Sequence, residues 1–251
     1  MASDVISDLI RHSAKTIVLT GAGISAESGL ATFRDALTGL WERFDAEQLA
    51  TPEAFERDPA LVWGWYEWRR AKVTTAKPND AHFALAHLEA ARPQTIVVTQ
   101  NVDDLHERAG SRNVLHLHGS LFFPRCTRCG AAYRLDAAPP VESEGGRRIE
   151  PPTCSACRGQ VRPGVVWFGE PLPSGPWRRS EAAASTCDLM MVVGTSGLVQ
   201  PAASLPLIAQ RAGAAVVVID PHRTAVDEIA THCLRGKAAE VLPPLVHAAL
   251  S

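Results

Sequence analysis

Four stretches of the chain are continuously apolar and largely β-branched, and each stops abruptly on small or polar residues. Thr16-Ile-Val-Leu-Thr20 runs into Gly21-Ala22-Gly23, and Thr95-Ile-Val-Val-Thr99 into Gln100-Asn101. Leu189-Met-Met-Val-Val193 runs into Gly194-Thr195-Ser196, and Ala215-Val-Val-Val-Ile219 into Asp220. Short runs with no polar alternation mark strands that are covered on both faces. Helix-length segments separate them, so the pattern predicts an α/β fold with a Rossmann-like, doubly wound parallel sheet. The polar residues after each strand then gather at the carboxyl edge, where open α/β sheets bind ligands.

Two segments break this rhythm. Residues 40–88 are helical in pattern and rich in aromatics (Trp41, Phe44, Phe55, Trp63, Trp65, Tyr66 and Trp68), which predicts an inserted helical module. The second, 121–159, carries four cysteines around a polar middle, 137–152, whose prolines and glycines predict a surface loop. The sheet domain is expected from 1–39, 89–120 and 160–251, with the two insertions forming a smaller domain.

Charge and length narrow the function classes. In 251 residues, 25 basic and 27 acidic side chains leave a net charge of -2, so there is no broad positive field to hold a nucleic acid or a membrane surface. A hydrophobic content of 46% is enough to bury an ordinary core without cross-links. The first residues, Met-Ala-Ser-Asp-Val-Ile-Ser-Asp, hold acids and no long apolar run, which predicts a cytoplasmic location, and a monomer is expected.

Cys126-Thr-Arg-Cys129 and Cys154-Ser-Ala-Cys157, with 24 residues between the pairs, have the spacing of a tetrahedral four-cysteine zinc site. Four thiolates close the coordination sphere, so such a metal stabilises and does not catalyse. Unligated thiols or a redox pair are the weaker alternatives. Cys187 and Cys233 stand alone among apolar residues and read as small hydrophobes.

Gly21-Ala-Gly-Ile-Ser-Ala-Glu-Ser-Gly29 follows a strand and allows backbone amides to approach a phosphate. Its third glycine comes too late for the Gly-x-Gly-x-x-Gly spacing, which disfavours a hydride-transfer dehydrogenase. A plain strand-to-helix turn fits the glycines as well.

Taken with other blocks, the chain resembles the sirtuin family. The resemblance rests on Gly21–Gly29 with Thr32-Phe33-Arg34, Thr99-Gln-Asn-Val-Asp103 with Leu105-His106 and Ala109-Gly110, and His116-Leu-His-Gly-Ser120. The cysteine pairs, Val165-Val-Trp-Phe-Gly-Glu170 and Val193-Gly-Thr-Ser196 complete it, so that the blocks span about residues 16 to 243. The resemblance implies an enzyme that consumes NAD to remove acyl groups from protein lysines, releasing nicotinamide and O-acyl-ADP-ribose. It also implies one structural zinc and an acyl-lysine tunnel between the sheet domain and the smaller one. It assigns Gly21, Ala22, Gly23, Ala26, Phe33 and Arg34 to the NAD phosphates and ribose, and Asn101 and Asp103 to the nicotinamide pocket. Gln100 and His118 would flank the reacting ribose, while Gly194, Thr195 and Ser196 would hold the adenosine half.

Asn101 and His118 are the implied catalytic residues, with His118 taking a proton from a ribose hydroxyl. An imidazole of ordinary pKa, about 6.5, suits that task. His116 is a rival that the residues alone do not remove, but the family pattern puts the base directly before Gly119. For His12, His82, His87, His222, His232 and His247 a surface or structural role is expected. Val166, Phe168 and Glu170 would lie along the substrate peptide. Family members commonly carry asparagine after the last strand; this chain has Asp220, whose carboxylate can accept from ribose hydroxyls. Ala238 is carried over for an adenine-side contact.

Tyr66 and Arg69 lie three residues apart, on one face of a helix, where a phenol and a guanidinium can grip a carboxylate. By itself this is an ordinary solvated face. It also resembles the marker of the sirtuin subgroup that removes succinyl, malonyl and glutaryl groups, as do Ala46 and Ala50, small residues of a roomy acyl pocket, and the short segment from Arg34 to Trp41. The implied activity favours acidic acyl groups and retains some deacetylation. Rivals are an NAD-dependent protein ADP-ribosyltransferase, a plain deacetylase and a non-catalytic zinc-ribbon binding module.

Overall fold

The computed structural model describes residues 2–30, 45–135 and 147–251. They form two compact units. The expectations for Phe33, Arg34 and the segment from Arg34 to Trp41 fall outside the described residues.

The first unit comprises 2–30, 77–117 and 173–251. Among the described residues it holds six parallel strands, in chain order β1 (Thr16–Thr20), β2 (Ile96–Thr99), β3 (Val114–His116), β6 (Leu189–Val193), β7 (Ala215–Ile219) and β8 (His232–Leu234). Their order across the sheet is β3-β2-β1-β6-β7-β8. β1 pairs with β2 on one side and β6 on the other, so the winding reverses between β1 and β6, the crevice where doubly wound sheets bind dinucleotides. Every residue of β1 and β6 is buried, as runs without alternation require.

Helices α1 (Ala2–His12), α2 (Gly23–Ala26), α6 (Asp80–Ala91), α7 (Leu105–Ala109), α8 (Ser174–Ala184), α9 (Leu205–Arg211) and α10 (Ala238–Leu250) belong to the same unit. Ile6 and Ile10 of α1, Ala81, Leu85 and Leu88 of α6, and Leu242 and Leu245 of α10 share one core with Val18, Met191 and Val217 of the sheet. That packing corrects the expected boundary at residue 88. The apolar face of α6 is matched to the sheet core, so the chain returns to the sheet unit at 77.

The second unit comprises the described residues of 45–76 and 118–172. It unites the two insertions and takes in 118–120 and 160–172, which the sequence pattern places in the sheet domain. The reason is local pairing: Ser120 N–H donates to Gly164 O (3.1 Å), and β4 (Arg125–Cys126) pairs antiparallel with β5 (Val161–Arg162). Helices α3 (Ala46–Leu49), α4 (Pro52–Arg57) and α5 (Pro59–Thr75) form the rest. Asp45, Thr51 and Asp58 cap them, each side chain accepting a backbone N–H of the first turn.

The expected surface loop 137–152 is described only from 147, and there it packs on α5. Ile149 N–H donates to Ala60 O (3.0 Å), and Arg148 forks onto the Asp58 carboxylate (2.6 and 2.7 Å). Gly64 is what allows the approach, because a Cβ there would stand 2.1 Å from Arg147 O. No helix of the described residues is long and apolar enough to cross a membrane.

Candidate functional site

At the carboxyl edge of β1 the chain turns through Gly21-Ala22-Gly23 against the end of β6. Gly21 N–H donates to Val193 O (3.1 Å) and Gly23 N–H to Gly194 O (2.8 Å). A Cβ on Gly23 would lie 2.7 Å from Gly194 Cα, and one on Gly194, whose φ is +59°, would lie 2.4 Å from Ile24 N. The two turns fit only as glycines. Gln100 Nε2 donates to Thr195 Oγ1 (2.9 Å), tying the loop after β2 to the same edge.

Beneath this edge sits a buried polar cluster centred on Ser25. The hydroxyl of Ser25 donates to Asp103 Oδ2 (3.1 Å) and accepts from Asn101 Nδ2 (3.1 Å), while His82 Nε2 lies 3.5 Å away. His82 Nδ1 lies 3.3 Å from Asn79 N and 3.1 Å from Asn79 Oδ1, so Asn79 holds the ring with Nε2 facing Ser25. Asn79 also accepts from Ala81 N–H as the cap of α6 and donates to Ile24 O (2.8 Å), so one residue fixes both the helix and the glycine turn.

Burial, with Arg108 adding to it, pulls the His82 pKa down to about 4, so its imidazole is neutral. His106, 1% exposed and bonded through Nε2 to Thr20 Oγ1 (3.1 Å), is pulled well below the ordinary value, again by burial. Burial also raises the Asp103 carboxyl, against the pull of its hydrogen bonds to Leu105 N and Ser25. Ser25, Asn79 and His82 were not among the residues assigned to a site from the sequence. The signal for Ser25 was its place directly after the glycine turn; nothing local marked Asn79 or His82, which reach the cluster through the packing of α6.

His116 is held by Glu107, Nε2 to Oε1 at 2.7 Å, with Nδ1 3.3 Å from Asn101 O. Burial opposes its charge, but the hydrogen bond and charge of Glu107 outweigh that and raise its pKa. This histidine therefore supports the backbone at Asn101. His118 is half-buried, and its carbonyl accepts from Val166 N–H (2.9 Å). After β6, Thr195 is buried and Ser196 O accepts from Ala225 N–H (3.0 Å). Asp220 Oδ1 accepts from His222 N–H (2.9 Å). Ala238 is buried in the first turn of α10, where Ala239 N–H donates to Glu27 Oε2 (2.9 Å). Ala26 is exposed.

The second unit carries the remaining candidates. The sulfurs of Cys126, Cys129, Cys154 and Cys157 all lie within 4.8 Å of one another. Cys126 and Cys157 Sγ are 3.4 Å apart, and Cys129 and Cys154 Sγ 3.8 Å. Zinc–sulfur bonds of about 2.3 Å in a tetrahedron need sulfurs a little under about 4 Å apart, so the four thiols fit a closed zinc site. All four are free of disulfides.

On α5, Tyr66 is 3% exposed and its hydroxyl accepts from Trp167 Nε1 (3.0 Å). The Arg69 guanidinium lies 5.0 Å from the Trp65 ring centre and 5.8 Å from that of Tyr66, on the same side of the helix. Burial pushes the Tyr66 phenol up to about 12, although Arg69 pulls the other way. Ala46 and Ala50 are buried, and Ala50 O accepts from Phe168 N–H (2.9 Å). Val166 is half-buried and Phe168 exposed. The Glu170 carboxylate is engaged within the fold, on both arms of Arg162 (2.5 and 2.8 Å) and on Trp167 N–H (2.8 Å).

The fold agrees with comparison to known proteins. Residues 21–201 match the Sir2 family model. The chain belongs to the Sir2 family. An NAD-dependent protein deacylase 1 of Pseudomonas aeruginosa is 60% identical over 245 residues, covering 97% of this chain and 98% of that protein. A crystal structure of a Sir2 homologue in complex with NAD is 48% identical with a TM-score of 0.90, covering 100% of this chain and 96% of that one. A Sir2 structure with a p53 peptide and NAD+ is 34% identical with a TM-score of 0.85 and 98% of each chain covered. Sir2 membership accounts for the order of the motifs, since one strand-and-turn framework carries both the glycine cradle and the Asn101–Asp103 loop.

Proposed function

We propose that this chain is an NAD-dependent protein-lysine deacylase that favours acyl groups ending in a carboxylate. The observation that carries the first part is the Ser25 cluster at the point where the sheet winding reverses. There Asn101 and Asp103 are fixed, buried and oriented by one hydroxyl, beside a glycine turn that leaves room only for backbone. The deacylase name of the P. aeruginosa relative and the NAD complex of the structural neighbour support the same reading.

NAD, consumed as a co-substrate, supplies the ribose carbon that loses nicotinamide and receives the acyl oxygen. Gly21, Ala22 and Gly23 would hold its phosphates, with Phe33 and Arg34. Gln100, Gly194, Thr195, Ser196, Asp220 and Ala238 would hold the remainder, and Asn101 and Asp103 would line the nicotinamide pocket. A neutral His118 would accept the ribose hydroxyl proton, a role that His116, paired with Glu107, is less suited to. The four cysteines would hold a structural zinc. Acylated protein lysines are the substrates, with Val166 and Phe168 along the peptide.

The acyl preference is supported by Tyr66 and Arg69, a neutral phenol and a cation sharing a helix face, with the small side chains of Ala46 and Ala50 buried in the same unit. Arg69 is half-buried, and an acyl carboxylate offers it a charged hydrogen bond that an acetyl methyl cannot, so the two acyl types are discriminated. The test is the ratio of kcat/KM for matched succinyl-lysine and acetyl-lysine peptides. Succinyl is expected to be favoured, with Y66F/R69M collapsing the ratio by roughly a hundredfold, as for loss of a charged hydrogen-bonded pair. An unchanged ratio in the double variant would reject the acyl preference and leave the deacylase reading in place.

A further inference from the structure

Between Val166 and Phe168 stands a residue with no assigned role. Trp167 is 3% exposed and held on every side. The Arg162 guanidinium lies 3.4 Å from the centre of its ring system, and the Phe55 ring packs at 5.3 Å. Arg162, 7% exposed, is fixed in turn by both oxygens of Glu170 and by Val165 O (3.1 Å). Glu170 closes the circuit by accepting from Trp167 N–H (2.8 Å). An indole gripped through its face, its edge and its backbone has one orientation, and that orientation aims Nε1–H at Tyr66 Oη, 3.0 Å away.

We propose that Trp167 is a positioning residue for acyl specificity: its indole N–H fills an acceptor site on the Tyr66 hydroxyl and so directs the phenol's one proton toward the carboxylate of an acidic acyl group. An indole nitrogen can only donate, so at this contact the phenol oxygen must accept. The phenol's own proton then points away from Trp167. Burial keeps that proton in place at neutral pH, and the phenol remains a donor. Arg162 and Glu170 act one step further back, as the clamp that sets the indole. The inference rests on the acidic-acyl reading above and extends it to a residue that need not touch the substrate.

The test measures kcat/KM for succinyl-lysine and acetyl-lysine peptides in wild type, W167F, Y66F and W167F/Y66F, with thermal unfolding followed for each. W167F keeps an aromatic ring for Arg162 and Phe55 while removing the N–H donor together with the second ring of the indole. The succinyl-to-acetyl ratio is expected to fall about tenfold in W167F, carried by the succinyl KM and not by kcat. The double variant should fall no further than Y66F, because the indole acts only through the phenol. Should W167F fail to unfold cooperatively, 3-benzothienylalanine incorporated at 167 keeps the bicyclic shape without the N–H, and the same fall is expected. A ratio that does not change, or losses that add in the double variant, would overturn the proposal. Wild type that favours succinyl, loses it in Y66F/R69M and keeps it in W167F would reject Trp167 alone. Wild type with no succinyl preference and an inert Y66F/R69M would reject the acyl reading and this inference with it.

Discussion

Asn101 Nδ2 donates to Ser25 Oγ across 3.1 Å, so the loop after β2 is hung on the first helical turn after β1. Each partner is buried, and the same hydroxyl donates a hydrogen bond to Asp103. One hydroxyl thus holds both Asn101 and Asp103 in place.

Removing that hydroxyl strands two polar groups. Ser25→Ala leaves the Asn101 amide and the Asp103 carboxyl each short of a partner in a buried setting, at a cost of about 1 to 3 kcal/mol. Denaturant unfolding should show that loss, and NAD-dependent nicotinamide release should drop at least tenfold. Unfolding and turnover both matching wild type would show that the cluster is incidental.

The glycine turn makes a sharper steric prediction. Gly23→Ala places a methyl 2.7 Å from Gly194 Cα, where only backbone could yield. NAD binding measured by calorimetry should weaken by more than tenfold, with stability lowered by about 1 to 3 kcal/mol as for overpacking at a close-packed position. Wild-type affinity in this variant would mean that the β1 and β6 turns are not a cradle.

Much of this was legible from the chain itself. The four apolar runs are strands because they are buried on both faces, a condition that leaves no polar alternation to misread. Cys126 to Cys157 announced a metal site because spacing alone brings matched pairs together. What stayed hidden was tertiary. β3 and β8, three residues each, are too short for periodicity to mark them. Residues 77–88 read as part of an aromatic helical insertion, yet the small apolar face Ala81, Ala84, Leu85 and Leu88 belongs to the sheet core. His82 looked like any helix histidine, and only the packing of α6 sets it against Ser25.

That histidine gives a pH dependence. Its folded pKa, about 4, lies below the unfolded value of about 6.5, so the unfolded chain binds the extra proton. Its contribution to stability is present above about 6.5 and is lost as pH falls toward 4, reaching about 2 kcal/mol by pH 5. His116, raised by Glu107, works in the opposite sense: it stabilises below about 6.5 and loses that effect as pH rises through its folded value. Urea unfolding at pH 7 and pH 5 should therefore differ less in His82→Asn than in wild type. An equal difference in both would assign the acid limb to other groups.

Loss of one thiolate should open the metal site. Cys154→Ser is expected to carry no zinc where the wild type carries one per chain, by elemental analysis, and to melt several degrees lower, because metal binding contributes folding energy to such modules. Full zinc content in the variant would show that the four sulfurs are not the ligands.

The central claim is tested most directly by incubating the purified chain with NAD and a succinyl-lysine peptide and following every product by mass spectrometry. The account predicts one nicotinamide released and one O-succinyl-ADP-ribose formed for each lysine freed, with all three lost in His118→Tyr. ADP-ribose appearing on protein while the lysine stays acylated, or NAD left intact, would contradict it.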